Sequence, residues 1–509
     1  MVTFGSIEKT PGGIGSIMTE DGFVCFEGYQ EPVSKDYEVV INGKICPVYT
    51  ARVSALPYPG WGKIYRDMKD TELASFINIE SDEKLEFTVK CRKSFKEAAV
   101  RPLSQKIDTK VKDNIVCFNI KKCGQYVLEL DDEHCCLTIF INDINKFEAK
   151  STATYYFGAG IHFPGVINLK SGDSIYIDRG AVVYGSLFGK DLENINIFGY
   201  GILDDSYEYR LYPQLYSDSI KSCIKLYNCR NVNINGIICR NAAGFVVNLF
   251  ECSDILIDNI KLIGQYRPNT DGIDIFNSQN ILVKNSFART FDDTICIKAI
   301  DDYSEFNNEN ITIDNCVLWN DWGRTCEIGM ETACDHYSNI IFKNCDLIYN
   351  NYSCLDIQSG DYAEIRDIIF ENMNIEYRHN SKPGKIFFKE GDIYDDGGDI
   401  NHPILINISV ESFRKMYMAS TPDNYIMPHD RHGSVHNIIF RNINVYYDNR
   451  ILSEKSKYYL SVNIKSHEKN VAIHDILIEK VFVNNEKIDK SDDLIFNIDN
   501  ESAFNVQFK

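Results

Sequence analysis

The chain has 509 residues, 44% of them apolar, with 53 basic against 73 acidic side chains and a formal net charge of −20. That length suits two to four domains or one long solenoid, with a core large enough to stand without staples. Polyanion binding needs clustered Lys and Arg, so an acidic chain with no long basic run is set apart from nucleic acid and anionic membranes, and its apolar content excludes disorder.

No apolar stretch approaches the roughly 18 residues of a membrane-spanning helix. The start, Met1-Val-Thr-Phe4, lacks a charged segment followed by an apolar one. If Met1 is the natural start, a cytoplasmic protein is expected. The 17 cysteines are odd in number, and most lie inside apolar runs such as Thr294-Ile-Cys-Ile297. They read as buried free thiols of a reducing compartment, with no metal site among them.

Residues 1–150 carry short strand-like stretches separated by Asp or Gly clusters: Tyr37-Glu-Val-Val-Ile41, Leu85-Glu-Phe-Thr-Val-Lys90, Ile115-Val-Cys-Phe-Asn-Ile120 and Leu137-Thr-Ile-Phe-Ile141. That punctuation predicts a small antiparallel β-sandwich. The glycines of Tyr155-Tyr-Phe-Gly-Ala-Gly-Ile-His-Phe-Pro-Gly165 then mark a sharp turn of the backbone, where the next unit begins.

From about residue 190 one pattern recurs, an alternating I-x-I-x-N or a close variant. It reads Ile195-Asn-Ile-Phe-Gly199, Val232-Asn-Ile-Asn-Gly236, Ile255-Leu-Ile-Asp-Asn259, Ile281-Leu-Val-Lys-Asn285 and Ile311-Thr-Ile-Asp-Asn315. Ile340-Ile-Phe-Lys-Asn344, Ile368-Ile-Phe-Glu-Asn372, Ile438-Ile-Phe-Arg-Asn442 and Ile476-Leu-Ile-Glu-Lys480 follow. Period-two alternation predicts a short strand with one buried face at each copy. A repeat of about 20–50 residues predicts a solenoid. Leucine is too scarce for a leucine-rich horseshoe, and no helical segment separates the strands. The expected fold is therefore all-β, with the sandwich over 1–150 and a right-handed parallel β-helix over 151–509. Stacked asparagines are expected to satisfy turn backbone groups from coil to coil. The interval 375–435 is too long for one plain coil. It holds Lys382-Pro-Gly-Lys385, Asp395-Asp-Gly-Gly-Asp399 and His429-Asp-Arg-His-Gly433, and reads as one or two degenerate coils with projecting binding loops. Its histidines read as solvated loop residues.

Three carboxylates stand out. Asp271 lies in Asn269-Thr-Asp-Gly-Ile-Asp-Ile275, and Asp292 and Asp293 are adjacent in Phe291-Asp-Asp-Thr-Ile-Cys-Ile-Lys298. The separation, 292 − 271 = 21 residues, is about one coil, and neighbouring strands lie about 4.8 Å apart. Asp271 should then sit beside the pair on the next rung. Crowded like charges cannot all ionise at ordinary pKa values, so one is kept protonated while its neighbours stay charged. Glycoside hydrolysis needs that split: an acid protonates the leaving oxygen, and a carboxylate activates water on the other face. The competing readings are turn aspartates that happen to align and a calcium site, which would need six to eight oxygens from a rigid loop.

The N-T-D segment, the D-D pair about one coil later and the I-x-I-x-N repeat together resemble the polygalacturonase family, glycoside hydrolase family 28, over roughly residues 155–485. The resemblance implies that Asp292 is the general acid, that Asp271 and Asp293 hold the attacking water, and that the anomeric carbon inverts. Two motifs of that family are missing. Its G-H-G histidine segment is replaced by Trp319-Asn-Asp-Trp-Gly-Arg-Thr-Cys-Glu-Ile-Gly-Met-Glu-Thr332, and its carboxylate-gripping R-I-K by Asp356-Ile-Gln358. Arg clamps a carboxylate with two hydrogen bonds and Lys supplies a point charge. Their loss predicts a neutral substrate. The chain also resembles the dextranases and isopullulanases of glycoside hydrolase family 49, which join a β-sandwich to a similar helix. Their Y-F-G-P-G-V-like opening corresponds here to Tyr156-Phe-Gly-Ala-Gly-Ile161.

The expectation is an inverting hydrolase of a neutral poly- or oligosaccharide that uses Asp271, Asp292 and Asp293 and requires no cofactor. Arg267, Asn269, Trp322, Arg324, Glu327, Glu331 and Gln358 are candidate substrate-binding residues. The alternatives are a hydrolase of pectic oligosaccharides, a lyase on the same scaffold, disfavoured because no basic pair lies near Asp271, and a non-catalytic carbohydrate-binding solenoid.

Overall fold

The computed structural model describes residues 2–4, 14–19, 22–27, 31, 33–54, 71–144, 147, 152–206, 222–300, 305–377, 386–387, 393–394, 403–410, 433–448, 456–466, 472–489 and 493–509. The three motifs singled out in the 375–435 interval lie outside these residues, Gly433 excepted.

The N-terminal part is two sheets face to face. One holds Tyr37–Ile41, Leu85–Cys91 and Ile115–Ile120; the other holds Thr71–Ser81, Gly124–Leu130 and Asp132–Asn142. Val39, Phe87, Val89 and Phe118 of the first sheet pack against Ile77, Ile79, Leu128 and Ile139 of the second. Two details depart from the expected antiparallel sandwich. Asp132–Asn142 and Thr71–Ser81 run parallel, so the second sheet is mixed. The Ile14–Thr19 and Gly22–Glu27 hairpin joins the solenoid, where Ile17 pairs with Phe163.

From Tyr155–Phe157 onward the chain is a parallel β-helix. Each coil contributes up to three strands, and the strands of successive coils stack into walls. The recurring I-x-I pattern forms one wall: Arg230–Asn235, Ser253–Asp258, Gln279–Lys284, Asn308–Asp314 and His336–Lys343 pair in register, so Val232, Ile255, Ile281, Ile311 and Ile340 form one inward row. Period-two alternation turns every second side chain into the bore. Each fully buried aliphatic there contributes about 1.5–3 kcal/mol of burial free energy. Glu364–Tyr377 pairs directly with Ser434–Tyr447, and Ile404–Val410 continues another wall. Among the described residues the 375–435 interval thus supplies the strand of one coil, Ile404–Val410, and a pairing of Ile386–Phe387 with Ile393–Tyr394.

The exposed turn asparagines depart from expectation. Asn231 donates to Asn194 at 2.6 Å, Asn310 to Asn280 at 3.1 Å and Asn339 to Asn310 at 2.8 Å, so their amides bond one another. Asparagine recurs there because the backbone is left-handed, with φ of 53° to 63° at Asn231, Asn280, Asn310, Asn339 and Asn194, a region Asn tolerates better than bulkier residues. The expected bonding to turn backbone is found elsewhere, at Asn277, whose Oδ1 accepts from Ile300 N at 3.0 Å, and Asn308, whose Nδ2 donates to Lys298 O at 2.8 Å.

The sandwich lies against the wall built of Ala181–Lys190, Ile202–Asp204, Ile238–Arg240, Lys261–Ile263, Phe287–Thr290 and Val317–Asn320. Phe76 and Phe140 pack there on Ile238, Ile263, Phe287 and Trp319. The buried Arg240 guanidinium pairs with Asp204 and reaches Glu31 at 2.5 Å. With that wall covered, the wall of Val247–Phe250, Ile273–Phe276, Ile295–Ala299, Arg324–Thr332, Ser353–Ser359, Ile404–Val410 and Ser461–Ser466 carries the carboxylates. No helix among the described residues is long and apolar enough to cross a membrane, and the 16 cysteines described there are all free, most of them buried.

Candidate active site

Register assembles this site. Ile273 pairs with Ile295, Ile295 with Cys326 and Cys326 with Leu355, and these side chains fill the bore. Their neighbours point the other way, so Asn248, Asp274, Cys296, Glu327, Asp356, Asn407 and Asn463 form one outward row across successive rungs. The turns that lead into the strands bring Asp271, Asp292 and Asp293 to the head of this row. Gly272 N donates to Asp293 O at 2.9 Å, which fixes the Asp271 turn beside the pair as the one-coil spacing predicts. All of these carboxyls are buried.

Backbone placement is tight. Asp292 O accepts from Thr290 Oγ1 and from Asn320 Nδ2, each at 2.7 Å. Asn269 N donates to Asp292 Oδ2 at 3.3 Å, and Arg324 N donates to Asp293 Oδ1 at 2.8 Å. Gly323 passes so close that a Cβ there would lie 2.5 Å from Asp293 Oδ1 and 2.8 Å from Asp292 Oδ1. Only glycine leaves both carboxylates their places.

Two cations interleave the acids, Lys298 buried and Arg324 half-buried. Lys298 Nζ lies 2.8 Å from Asp271, 3.2 Å from Asp274 and 3.8 Å from Asp293. Arg324 reaches Glu327 at 3.5 Å and Asp293 and Asp356 at 3.6 Å each, over the face of Tyr352 at 5.0 Å. The Gln358 amide oxygen, turned to the guanidinium, accepts from its Nε at 3.1 Å and its Nη2 at 3.3 Å.

These surroundings divide the protons unequally. Burial pushes the Asp292 carboxyl well above the ordinary carboxylate range, and the charges of Asp271 and Asp293 add to the effect. Burial raises Asp271 to about 6, against the pull of Lys298. Burial acts on Asp293 too, but Arg324, Lys298 and a side-chain hydrogen bond with Glu327 outweigh it and hold that carboxyl below its usual value. Glu327 and Asp274 are both driven well upward, chiefly by burial. The site thus combines one carboxyl that keeps its proton with a neighbour that readily loses its own, the pairing acid–base catalysis requires.

The structure brings most of the sequence-predicted residues to this place, in differing ways. Arg324, Glu327 and Gln358 join the charge network. Glu331 is half-buried and bears electrostatically on Asp271 and Lys298. Asn269 caps Asp292 from the backbone. Trp322 lies half-buried and parallel to Phe291, with ring centroids 5.8 Å apart, so it packs on the residue before the aspartate pair. The Arg267 guanidinium donates to the carbonyls of Ala242 at 3.1 Å and Ser206 at 3.3 Å, tying its turn to earlier coils.

Lys298 and Asp274 are not among the candidates named from the sequence, where no basic pair is expected near Asp271. One cation is there, locked between carboxylates. Its signal was the alternation itself: with Ile295 and Ile297 inward, Lys298 must share the outward face with Asp274. Lys465 is a second unforeseen cation. It is exposed, and lines a cleft of about 160 Å³ with Arg324, Tyr352, Gln358, Asn407, Ser409 and Asn463. Ligand atoms of Asp271, Asp274 and Cys296, and those of Asp293, Cys296 and Glu327, fall within 4.8 Å of one another, the spacing of a metal site. Lys298 already supplies the positive charge at the first group, and Arg324 and Lys298 flank the second.

Residues 188–410, which include all three aspartates, match the family described as Glycosyl hydrolases family 28. An exopolygalacturonase of Arabidopsis thaliana is 29% identical over 154 residues, 30% of this chain and 35% of the relative. The polygalacturonase QRT2 of the same plant is 23% identical over 193 residues, 36% of this chain and 42% of the relative. Each match thus spans less than half of the relative's length. In three dimensions the chain is similar to Dex49A from Penicillium minioluteum, with a TM-score of 0.61 at 13% identity over 94% of this chain and 95% of that one. Both resemblances read from the sequence therefore hold, the first in sequence and the second in fold.

Proposed function

We propose that the chain is an inverting glycoside hydrolase of the polygalacturonase type, acting on oligosaccharides that carry uronic acid units. The observation that carries this reading is the trio Asp271, Asp292 and Asp293, buried on adjacent rungs with unequal hold on their protons. Asp292 gives its proton to the glycosidic oxygen as the bond to the anomeric carbon breaks. Asp271 and Asp293 orient a water on the opposite face of the sugar ring and take its proton as its oxygen bonds to that carbon.

The uronate assignment revises the neutral-sugar expectation. That expectation rested on the loss of the Arg and Lys of the R-I-K motif and on the carboxyl of Asp356 in their place, but Arg324 lies 3.6 Å from Asp356, Asn407 donates to it at 3.0 Å and burial raises its carboxyl. The guanidinium thus offsets that carboxyl at the cleft. Lys465 offers the point charge on a different coil from the missing motif. The relatives named as polygalacturonases support the same substrate class.

The test is reducing-end release from oligogalacturonates and from neutral α-glucans, with wild type beside Asp292→Asn and Lys465→Met. The expected result is turnover of the oligogalacturonate that Asp292→Asn abolishes, a KM raised severalfold in Lys465→Met, and a first product of inverted anomeric configuration. Turnover of a neutral glucan alone would show that Asp356 and Gln358 set the substrate after all. An unsaturated product would replace hydrolysis with elimination.

A further inference from the structure

We propose that Glu327 is a positioning residue that donates a hydrogen bond from its own carboxyl to Asp293, so that Asp293 stays charged and aimed without a second negative charge beside it. The inference goes beyond the hydrolase reading, and only its kinetic test rests on that reading. Glu327 and Asp293 are both buried and lie within 4.8 Å of each other. Written as a carboxylate, Glu327 leaves Oε2 buried without a donor. Written as a carboxylic acid, it has an acceptor at hand in Asp293. A buried oxygen without a donor is costly, and two buried carboxylates in contact are costlier.

Which partner keeps the proton follows from what faces each. Asp293 receives Arg324 N at 2.8 Å and has two cations near, Arg324 at 3.6 Å and Lys298 at 3.8 Å. Glu327 has one close cation, Arg324 at 3.5 Å, and feels Lys298 more weakly. On the neighbouring rungs it meets Cys296, whose thiol is pushed further toward its neutral form by burial, and Asp356. The negative charge therefore belongs on Asp293 and the proton on Glu327, in line with the upward displacement of Glu327 by burial and by Asp293.

The test uses the full chain as wild type, Glu327→Gln and Glu327→Ala. An infrared difference spectrum, wild type minus Glu327→Gln at neutral pH, should show the carbonyl band of a protonated carboxyl. Its absence would overturn the proposal, and this arm needs no substrate. The kinetic arm is kcat against KM, and beside it the carboxylate band of Asp293, assigned by difference against Asp293→Asn, is followed with pH in the infrared, because Asp271, raised to about 6, sets the acid limb of the rate profile. The Gln amide can donate as the acid does, so Glu327→Gln should keep kcat within about threefold and leave the Asp293 titration in place. Glu327→Ala should lose about tenfold in kcat at little change in KM, with Asp293 titrating about one pH unit higher. An Asp293 titration that moves down in Glu327→Gln would mean that a charge was removed, and would overturn the proposal. So would an unmoved titration in a folded Glu327→Ala. If wild type turns over no glycan, the hydrolase reading fails while the infrared band still decides the state of Glu327.

Discussion

Two stacks of polar side chains run along the same solenoid, on different sides of its coils. Asn315 donates to Asn285 at 2.8 Å, Asn372 to Asn344 at 3.0 Å and Asn442 to Asn372 at 2.9 Å, all at the surface. On the other stack Asp274, Glu327 and Asp356 occupy the same register, buried, among Lys298, Arg324 and Asn407. An amide carries a donor and an acceptor, so identical amides satisfy one another indefinitely. Carboxylates carry only acceptors, so a carboxylate stack holds only with interleaved cations or retained protons. One geometry gives a passive spine in the first case and a set of displaced pKa values in the second.

Replacing the acid tests the charged stack most severely. Asp292→Asn should lower kcat by about 10²–10⁴-fold while thermal unfolding stays close to wild type. An active variant would remove Asp292 from the chemistry. Lys298→Met strands Asp271 and Asp274 without their cation. Urea unfolding at neutral pH should register a loss of about 3–5 kcal/mol, smaller in acid where both carboxyls can protonate. An equal loss at all pH values would assign Lys298 a packing role.

Gly323→Ala forces a methyl group into the space of the Asp292 and Asp293 carboxylates. A displacement of about 1 Å should cost up to about 100-fold in kcat with the circular dichroism unchanged. Asp271 gives the next effect. Its folded pKa is about 6 against an ordinary 3.8, so the folded protein holds that proton more tightly than the unfolded chain does. Stability from this group is therefore fully present below about pH 4 and lost as pH rises through 6. Asp271→Asn should be more stable than wild type above that window, by something on the order of 2–3 kcal/mol, and not below it. Melting curves at pH 4 and pH 7.5 check the sign.

The smallest effect belongs to the neutral stack. Asn310→Ala removes amide bonds to Asn280 and Asn339 at a φ of 56°. It should cost about 1–2 kcal/mol in chemical denaturation and leave kcat unaltered. Asn310→Gly should cost less, because glycine relieves the backbone part. A fall in kcat with either would mean that the two stacks communicate.

The repeat was legible because an inward side chain at every second residue writes itself directly into the sequence, as at Ile255, Ile281 and Ile311. The aspartate trio was legible for a related reason: coil length converts sequence spacing into rung spacing, and Asp271 with Asp292 and Asp293 fell one coil apart. The asparagines were read for the wrong partner, since the pattern records where Asn occurs but not that a left-handed backbone calls for it. The parallel pairing of Thr71–Ser81 with Asp132–Asn142 was hidden too, because alternation is the same in parallel and antiparallel strands.

By itself, then, the sequence determined the coil, its period and the rung on which the acids stand, since each is set by local alternation and by spacing along the chain. Only the tertiary structure decided which cations meet which acids. Lys298 is separated from Asp271 by 298 − 271 = 27 residues and lies against it, Arg324 lies against Asp293 and Asp356 at once, and Lys465 enters the cleft from a later coil. Charge interactions act through space, and the desolvation that gives them force exists only once neighbouring coils have closed over the site.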